Sequence, residues 1–458
     1  MGELAALELD RRVLAELPDW SDIIGHFKAA GRPSVVDVLR AADRTGRPAV
    51  QPRCGVADHA AMLHLLGELE QADPAILSVT IDSHTRLKQF DTAHRLLTTR
   101  PADLNGYPLV AHGWARGREL VSSVSAPLEV RHGSPDARQL FAITAASGIT
   151  SFEGGGIGYN LPYSKNVPIR DSLRAWQAVD RVCGELAAEG VVIDRELFGT
   201  LTAVLMPPSI SIAITLLEAI AAAREGVRCV SLAYPQGGEV HQDVAALRSI
   251  RPLARRYLGD GVEVFPVLHE FMGAFPRTTG FANSLILLGG LVARLGGAAK
   301  VINKTNHEAY GLPDAPANGL GIRTTAVGAS DLFDFVTLDE DRVAEEAHWI
   351  QREVGELVEP VLAAADLAGG IAAAFADGSL DIPFSASAHA RSAVVPRRDR
   401  AGAIRYGGHD GLPFSASTRR RNAELLGDQP GRPLIDLVSE DIFYFIGKES
   451  ATSAGRAR

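Results

Sequence analysis

The sequence predicts an α/β protein of the (β/α)₈ TIM-barrel class, with a helical lead-in before the barrel and a helical to irregular extension after it. Three observations point there. From about residue 48, short β-branched or apolar runs alternate with amphipathic, Ala- and Leu-rich stretches, the rhythm of a parallel sheet covered by crossover helices. No G-x-G-x-x-G follows the first run, which disfavours a dinucleotide-binding sheet. Nearly every run ends on a residue able to do chemistry, and in a barrel the C-terminal strand ends converge on the face that carries the active site.

Residues 1–45 read as a polar, mostly helical lead-in broken at Gly31-Arg32-Pro33, residues 46–313 as the barrel, and residues 314–458 as the extension. Strands are expected at 49–53, 76–82, 108–112, 128–132, 149–153, 200–206, 229–234, 262–269 and 300–304. Nine candidates exceed a barrel by one, and the second and third carry the weakest pattern. Helices are expected at 58–71, 136–147, 169–189 and 242–257. The apolar runs 209–223 and 284–302 are interrupted by Glu218, Arg294 and Lys300, so they read as helices covering a sheet and not as membrane spans. After Pro313 the strand rhythm gives way to an Ala-, Glu- and Asp-rich helical region, then from about residue 380 to a tail punctuated by Pro and Gly. PFSASAHAR at 383–391 is echoed by PFSASTRRR at 413–421, but two copies are too few for a repeat architecture.

The 458 residues carry a formal charge of −9, which argues against a nucleic-acid partner. The clusters Arg397, Arg398, Arg400 and Arg419, Arg420, Arg421 read as solvated surface. Cys54, Cys183 and Cys229 are odd in number and widely spaced, which indicates neither a disulfide framework nor a thiolate metal site and suits a reducing cytoplasm. The acidic start MGELAALELDRR lacks a leader pattern, so no signal peptide is expected.

The candidate chemistry lies at the strand ends: Arg53, Asp82, His112, Arg131 with His132, Glu153, Tyr234, His269 with Glu270, and Lys304. Arg53 and Arg131 close apolar runs, and Arg86 follows another in TIDSHTR. A guanidinium grips a carboxylate as a bidentate fork, so several around one mouth predict a small dicarboxylate or phosphate ligand. Glu153 would suit an ammonium group, and the set together suggests an acidic amino acid. After Glu153 comes a glycine triplet, which is costly to order and implies close approach to the backbone. It is read as the floor beneath a substrate, where any Cβ would intrude, so Gly155→Ala should lower turnover far more than stability. Lys304 and Glu308 are spaced i, i+4 and read either as an ion pair or as hydrogen-bonding partners of sugar hydroxyls. H-E-x-x-H, G-x-S-x-G and the phosphate loop are absent, so no catalytic metal is assigned. Two other readings stay open: a metal-dependent barrel lyase or hydrolase using His112, His132, His269 and Glu153, and a non-catalytic glutamate-binding barrel.

Taken in order from about residue 33 to 447, QPRCGV, TIDSHTR, VRHGSPDAR, EGGGIGYNLPYSKNV, REL-FG-LT-VLMPPS, HEFMGAFP, VINKTNHEAYGLP and DIPF-S resemble the glutamate mutase epsilon subunit family, the methylaspartate mutases. The resemblance implies a TIM-barrel isomerase that interconverts (S)-glutamate and (2S,3S)-3-methylaspartate by adenosylcobalamin-dependent radical rearrangement of the carbon skeleton. It implies that Arg53, Arg86 and Arg131 hold the substrate carboxylates, that Glu153 receives the ammonium group, and that Tyr159 and Tyr163 close the pocket, with Tyr163 hydrogen-bonding substrate. Lys304 and Glu308 then hold the adenosyl ribose, while Gly55, Asn105, Pro162, Phe198, His269 and Met272 line the cavity or face the cofactor. The cobalamin motif D-x-H-x-x-G is missing; Asp82-Ser83-His84-Thr85-Arg86-Leu87 lacks its Gly. A separate small cobalamin-binding subunit is therefore expected, two of them on a homodimer of this chain. Cys54 replaces an alanine, and its sulfur is expected to point away from the cavity.

Overall fold

The computed structural model describes residues 4–202, 204–309, 313–408, 411–428 and 431–455. Eight parallel strands run in sequence around a barrel: β1 (Ala49–Gln51), β2 (Leu77–Thr80), β3 (Leu128–Arg131), β4 (Ser151–Glu153), β5 (Asp194–Leu197), β6 (Cys229–Pro235), β7 (Glu263–His269) and β8 (Lys300–Ile302). Each pairs with its neighbour and β1 pairs with β8, leaving only the β1–β2 seam without a ladder. Pro52 has no N–H to give there. The seam is closed instead by Ala75 N–H to Val50 O at 3.1 Å, Thr80 N–H to Cys54 O at 2.8 Å, and Ser78 Oγ to Pro52 O at 2.7 Å.

Helices His59–Glu70, Arg138–Ala146, Ile169–Ala188, Pro208–Arg224, Val240–Leu258 and Thr279–Leu295 coat the sheet. Ala315–Gly328 follows β8 and packs against Thr279–Leu295 and His59–Glu70. At the N-terminal end, Val35–Thr45 is closed by a Ser34–Asp37 capping box and by Gly46 in the left-handed region, as its sequence dictates. Its buried Val35, Val36 and Leu39 plug the barrel floor against Ala49, Phe265 and Ala299.

Two expected strands differ. Residues 108–112 begin the helix Leu109–Ser123, so this run is the surplus candidate. Tyr107 makes one bridge to Ile81, and Pro108 then ends the pairing for want of an N–H. His112 therefore lies on a helix, bonded through Nε2 to Ala57 O at 2.8 Å. The fifth strand is Asp194–Leu197, not 200–206. That later run is a loop in which Leu201 and Leu205 take positive φ of 48° and 51°, and its Ala203 lies outside the described residues. Three of the four residues of D-R-E-L are charged, which argues for solvent, yet all four are buried.

The extension packs Glu340–Leu362 against Val240–Leu258 and Pro208–Arg224, adds an antiparallel hairpin of β9 (Val395–Arg398) and β10 (Ile404–Gly408), and ends in Ala416–Leu426, Leu434–Ile442 and Tyr444–Gly455. It seats on the β5–β7 loops: Asp441 accepts from Leu205 N–H at 2.8 Å, and Ile442 O accepts from Ala274 N–H at 2.7 Å. The basic clusters are only partly surface. Arg400, Arg419 and Arg420 are exposed, but Arg398 pairs with Asp441 and donates to Gly237 O at 2.8 Å. Arg421 is buried against Glu346 at 3.1 Å. Among the described residues no single helix is long and apolar enough to cross a membrane.

Glu346 is the shared partner of buried Arg405, at 2.6 Å from Nη1, and Arg421. Burial pushes its carboxyl up, but the two arginines hold it below the usual range. Its contribution is therefore complete above the unfolded carboxylate pKa and lost as pH falls through the depressed folded one. Glu346→Ala should leave Arg405 with Asp399 alone, at 2.9 Å, and Arg421 with only the exposed Glu345, at 3.8 Å, and destabilise by about 3 kcal/mol, the lower end for breaking a buried pair, read as a lower denaturant midpoint.

Candidate active site

Side chains alternate across a strand, so the inward set can be read from register. β3 sends in Glu129 and Arg131, β4 Ser151 and Glu153, β5 Asp194 and Glu196, β7 His269 and β8 Lys300, all buried. The lower layer centres on Lys300, whose Nζ is 2.5 Å from Glu129 and 3.7 Å from Asp194 and also contacts Glu196. The upper layer centres on Arg131, paired with Glu129 at 2.8 Å, Glu196 at 3.3 Å, and Glu153. His269 Nε2 lies 3.0 Å from Glu196. Tyr159 donates its hydroxyl to the other oxygen of Glu153.

Four carboxylates thus surround two cations away from water. Burial pushes Glu196 up, but Lys300, Arg131 and His269 hold it well below the carboxylate range. Glu153 moves the other way: burial raises it, Arg131 only partly offsets this, and Glu196 and Glu129 raise it further, to about 8. Burial lowers His269 to about 4, so its ring is neutral. The surplus negative charge is relieved by a proton held at Glu153.

Above this layer lies the mouth. Arg53, past the end of β1, is exposed, and its charge acts on Tyr163, His269 and Lys304. Asp82 caps the turn Ser83–Arg86 by accepting from His84 and Thr85 N–H at 2.9 and 3.0 Å, which swings Arg86 over Tyr163 with Cζ 5.5 Å from the ring. Neither Arg53 nor Arg86 has a carboxylate within ion-pair distance among the described residues, whereas Arg131 has three. Tyr159, Tyr163 and Phe198 form an aromatic wall with centroids 5.1 to 6.1 Å apart, and Phe198 meets His269 at 5.8 Å. Lys304 Nζ lies 3.2 Å from Glu308, on a 3₁₀ turn at Asn306–Ala309 and not on an α-helix. Residues 310–312 of that motif lie outside the described residues.

Gly55 packs so tightly that a Cβ would strike Thr80 O. Pro162 and Met272 are half-buried in the loops after β4 and β7. Asn105 stands apart, exposed, with Oδ1 accepting from Ser83 N–H at 2.9 Å. Cys54 Sγ turns from the mouth to Ser78 O at 2.9 Å. The histidines do not converge: His112 is on its helix, and His132, half-buried, lies flat on Trp176, with rings 5.7 Å apart. Among the described residues only Glu153, Glu196 and His269 could share an ion, and Arg131 already bonds both carboxylates.

The glycine triplet is not a floor facing the mouth. A Cβ on Gly154 would strike Tyr159 and Trp176, on Gly155 the Glu218 carboxylate, and on Gly156 Leu173. The segment is braced from behind by two residues that sequence reading missed. Arg195 points outward from β5, pairs with Asp180 at 2.8 Å, and donates to Phe152 O and to Gly154 O at 2.8 Å, fixing the backbone on both sides of Glu153. Glu218 accepts from Ile157 and Gly158 N–H at 2.6 and 2.8 Å, just before Tyr159. The period-two charges of D-R-E-L are the one signal that could have found Arg195 and Glu196. Gly155→Ala should therefore lower stability, by about 1–3 kcal/mol, together with turnover; thermal unfolding beside a rate assay separates this from a loss of turnover alone.

Comparison with known proteins supplies the context of these residues. The family model for the methylaspartate mutase E chain (MutE) matches residues 32–448. The chain is 42% identical over 411 residues to the glutamate mutase epsilon subunit of Haloarcula marismortui, covering 88% of this chain and 84% of that one. It is 40% identical over 417 residues to the protein of that name from Desulfitobacterium hafniense (87% and 85%), and 39% over 418 to that of Escherichia coli O157:H7 (88% and 87%). Among solved structures it matches the YdjI aldolase of Escherichia coli K12 at a TM-score of 0.31 and 11% identity, over 68% of this chain and 99% of that one, a likeness that says nothing of chemistry. With the family model spanning nine-tenths of its length and the barrel mouth built from that model's own segments, the chain belongs to the methylaspartate mutase E chain family.

Proposed function

We propose that the chain is the catalytic subunit of a glutamate mutase, interconverting (S)-glutamate and (2S,3S)-3-methylaspartate with adenosylcobalamin carried mainly by a separate small subunit. The observation that carries this reading is that Arg53 and Arg86 lack carboxylate partners beside a proton-holding Glu153 in one mouth. Each free fork takes one carboxylate of an acidic amino acid. Arg131, held among its three glutamates, adds positive charge beneath them, and Glu153 takes the ammonium group. Tyr163, still 36% exposed, donates its hydroxyl to the substrate, while Tyr159 and Phe198 wall off water.

The rim also fits the cofactor that the family implies. Lys304 and Glu308 offer a donor and an acceptor at a part-buried position, suited to ribose hydroxyls, and Gly55, Pro162, His269 and Met272 line the approach. Adenosylcobalamin supplies, when bound, the organic radical that starts the rearrangement. The chain's own task is to hold the substrate fragments in register in a dry pocket. The chain carries no D-x-H-x-x-G, and its nearest approach, at residues 82–87, lacks the Gly. This supports a partner subunit bearing D-x-H-x-x-G, two copies on a homodimer of this chain. Three free buried thiols suit a reducing cytoplasm.

The test is reconstitution with the small subunit, adenosylcobalamin and glutamate. 3-Methylaspartate and a substrate-dependent electron paramagnetic resonance signal are expected, and the absence of both refutes the reading. In the same assay Arg53→Met and Arg86→Met should each lose about 1.5–3 kcal/mol of binding, ~10–100-fold in kcat/KM.

An ammonium group favours the ionised form of Glu153, so at pH 7, below its raised value of about 8, substrate binding should release a proton. KM should accordingly fall as pH rises toward that value. Calorimetry in buffers of different ionisation enthalpy reads the release, which Glu153→Gln should abolish.

A further inference from the structure

Behind the glycine segment, on the helix-facing side of the sheet, lies a cavity of about 240 Å³ between the helices Ile169–Ala188 and Pro208–Arg224 and the start of the helix Leu367–Asp377. Leu173, Ala221, Leu367 and Ile371 give it an apolar wall, and Trp176 and Glu218 its polar points. Glu218 is only 3% exposed. One of its oxygens serves the Ile157 and Gly158 amides, and the other has no hydrogen-bond partner among the described residues; the Trp176 indole N–H has none either. Buried polar atoms are almost always satisfied. Two orphans on residues of one cavity, an acceptor and a donor, define what would satisfy them.

The charge of the lining narrows the chemistry. Asp180, Glu218, Glu225 and Asp366 stand against Arg224 alone. Three of the acids are already engaged: Asp180 by Arg195, Glu225 by Arg181 at 3.0 Å, and Asp366 by the Gly369 N–H at 2.9 Å. Neither Glu218 nor Asp366 has an ion pair within 4 Å among the described residues, and of the four acids only Glu218 is buried with an oxygen that lacks a hydrogen-bond partner.

We propose that this cavity is a binding site for a small organic ammonium compound with a compact apolar body and an acceptor oxygen, the chemistry of a hydrophobic amino alcohol. Its cation meets the free Glu218 oxygen, its oxygen accepts from the Trp176 indole, and its apolar body fills the space against Leu173, Ala221 and Ile371. The site is distinct from the barrel mouth, since the backbone of residues 154–158 separates the two. The occupant bonds the same carboxylate that holds the segment carrying Tyr159 and Tyr163.

The test uses the full chain without cofactor, so its outcome does not depend on the proposed mutase activity. Leucinol is titrated by calorimetry and thermal unfolding in the presence of saturating glutamate, with isoamyl alcohol as the uncharged control. Saturable one-site leucinol binding with a Kd on the order of 1 mM is expected, with the alcohol bound at least ~10-fold more weakly. Ala221→Phe fills the cavity and should abolish binding. Glu218→Gln keeps an oxygen for the two amides but loses the charge, and should weaken leucinol at least ~10-fold. If Ala221→Phe fails to fold, Glu218→Gln alone decides. Absence of saturable binding, or equal affinity in wild type and Glu218→Gln, overturns the proposal.

Discussion

Burying four carboxylates around Lys300 and Arg131 is the constraint to which the barrel and its mouth answer. Desolvating these ions costs more than any one pair returns, and removing a single partner from such a cluster strands a buried charge. The arrangement holds because nearly every oxygen has a donor: Gln51 Nε2 reaches Glu129 at 2.7 Å, Ser151 Oγ bridges Glu129 and Asp194 at 2.9 Å each, and Ser231 Oγ meets Asp194 at 2.7 Å. The interior is therefore locked by directional bonds where many barrels use interdigitated aliphatic layers. It also sets the chemistry. With two cations for four acids the layer keeps an excess of negative charge, and this pushes the carboxyl of Glu153, the acid nearest the mouth, up to about 8.

The outer side of the sheet completes the device. Arg195, buried and sandwiched near Trp176 at 4.7 Å, grips the carbonyls on either side of Glu153, and Glu218 grips the amides ahead of Tyr159. Inward residues create the field and outward residues hold its backbone. The glycine triplet lies between these layers, where side chains of the protein itself leave no room for a Cβ. That is why the expectation of a substrate-facing floor fails while the expectation of close approach succeeds.

Much of the site was legible from residue type and spacing. Arg131 and Glu153 end strands and Arg53 lies two residues past one, and these strands are legible within a few residues because β-branched runs bounded by polar ends read clearly. The fifth strand was not legible, because a charged residue argues for solvent unless its partner is known. Asp194, Arg195 and Glu196 find theirs in Ser231, Asp180 and Lys300, 37, 15 and 104 positions away in the chain. The run at 108–112 failed in the opposite sense: Leu109 is buried and Val110 and Ala111 half-buried, but by helix packing once Pro108 ends the pairing.

By itself the sequence determined the fold class, the alternation of strand and helix, the family and the placing of three arginines near strand ends, because these depend on local periodicity and on residue chemistry. Only the tertiary structure decided which arginines stand free: Arg131 is surrounded by three glutamates brought from three strands, while Arg53 and Arg86 are left facing the mouth. It also decided that the Glu153 carboxyl is pushed up by burial and by its acidic neighbours and that Lys300 is a core cation and no mere interruption of a helix. Charge state is a property of the whole neighbourhood, and that neighbourhood exists only once strands remote in sequence have closed into a ring.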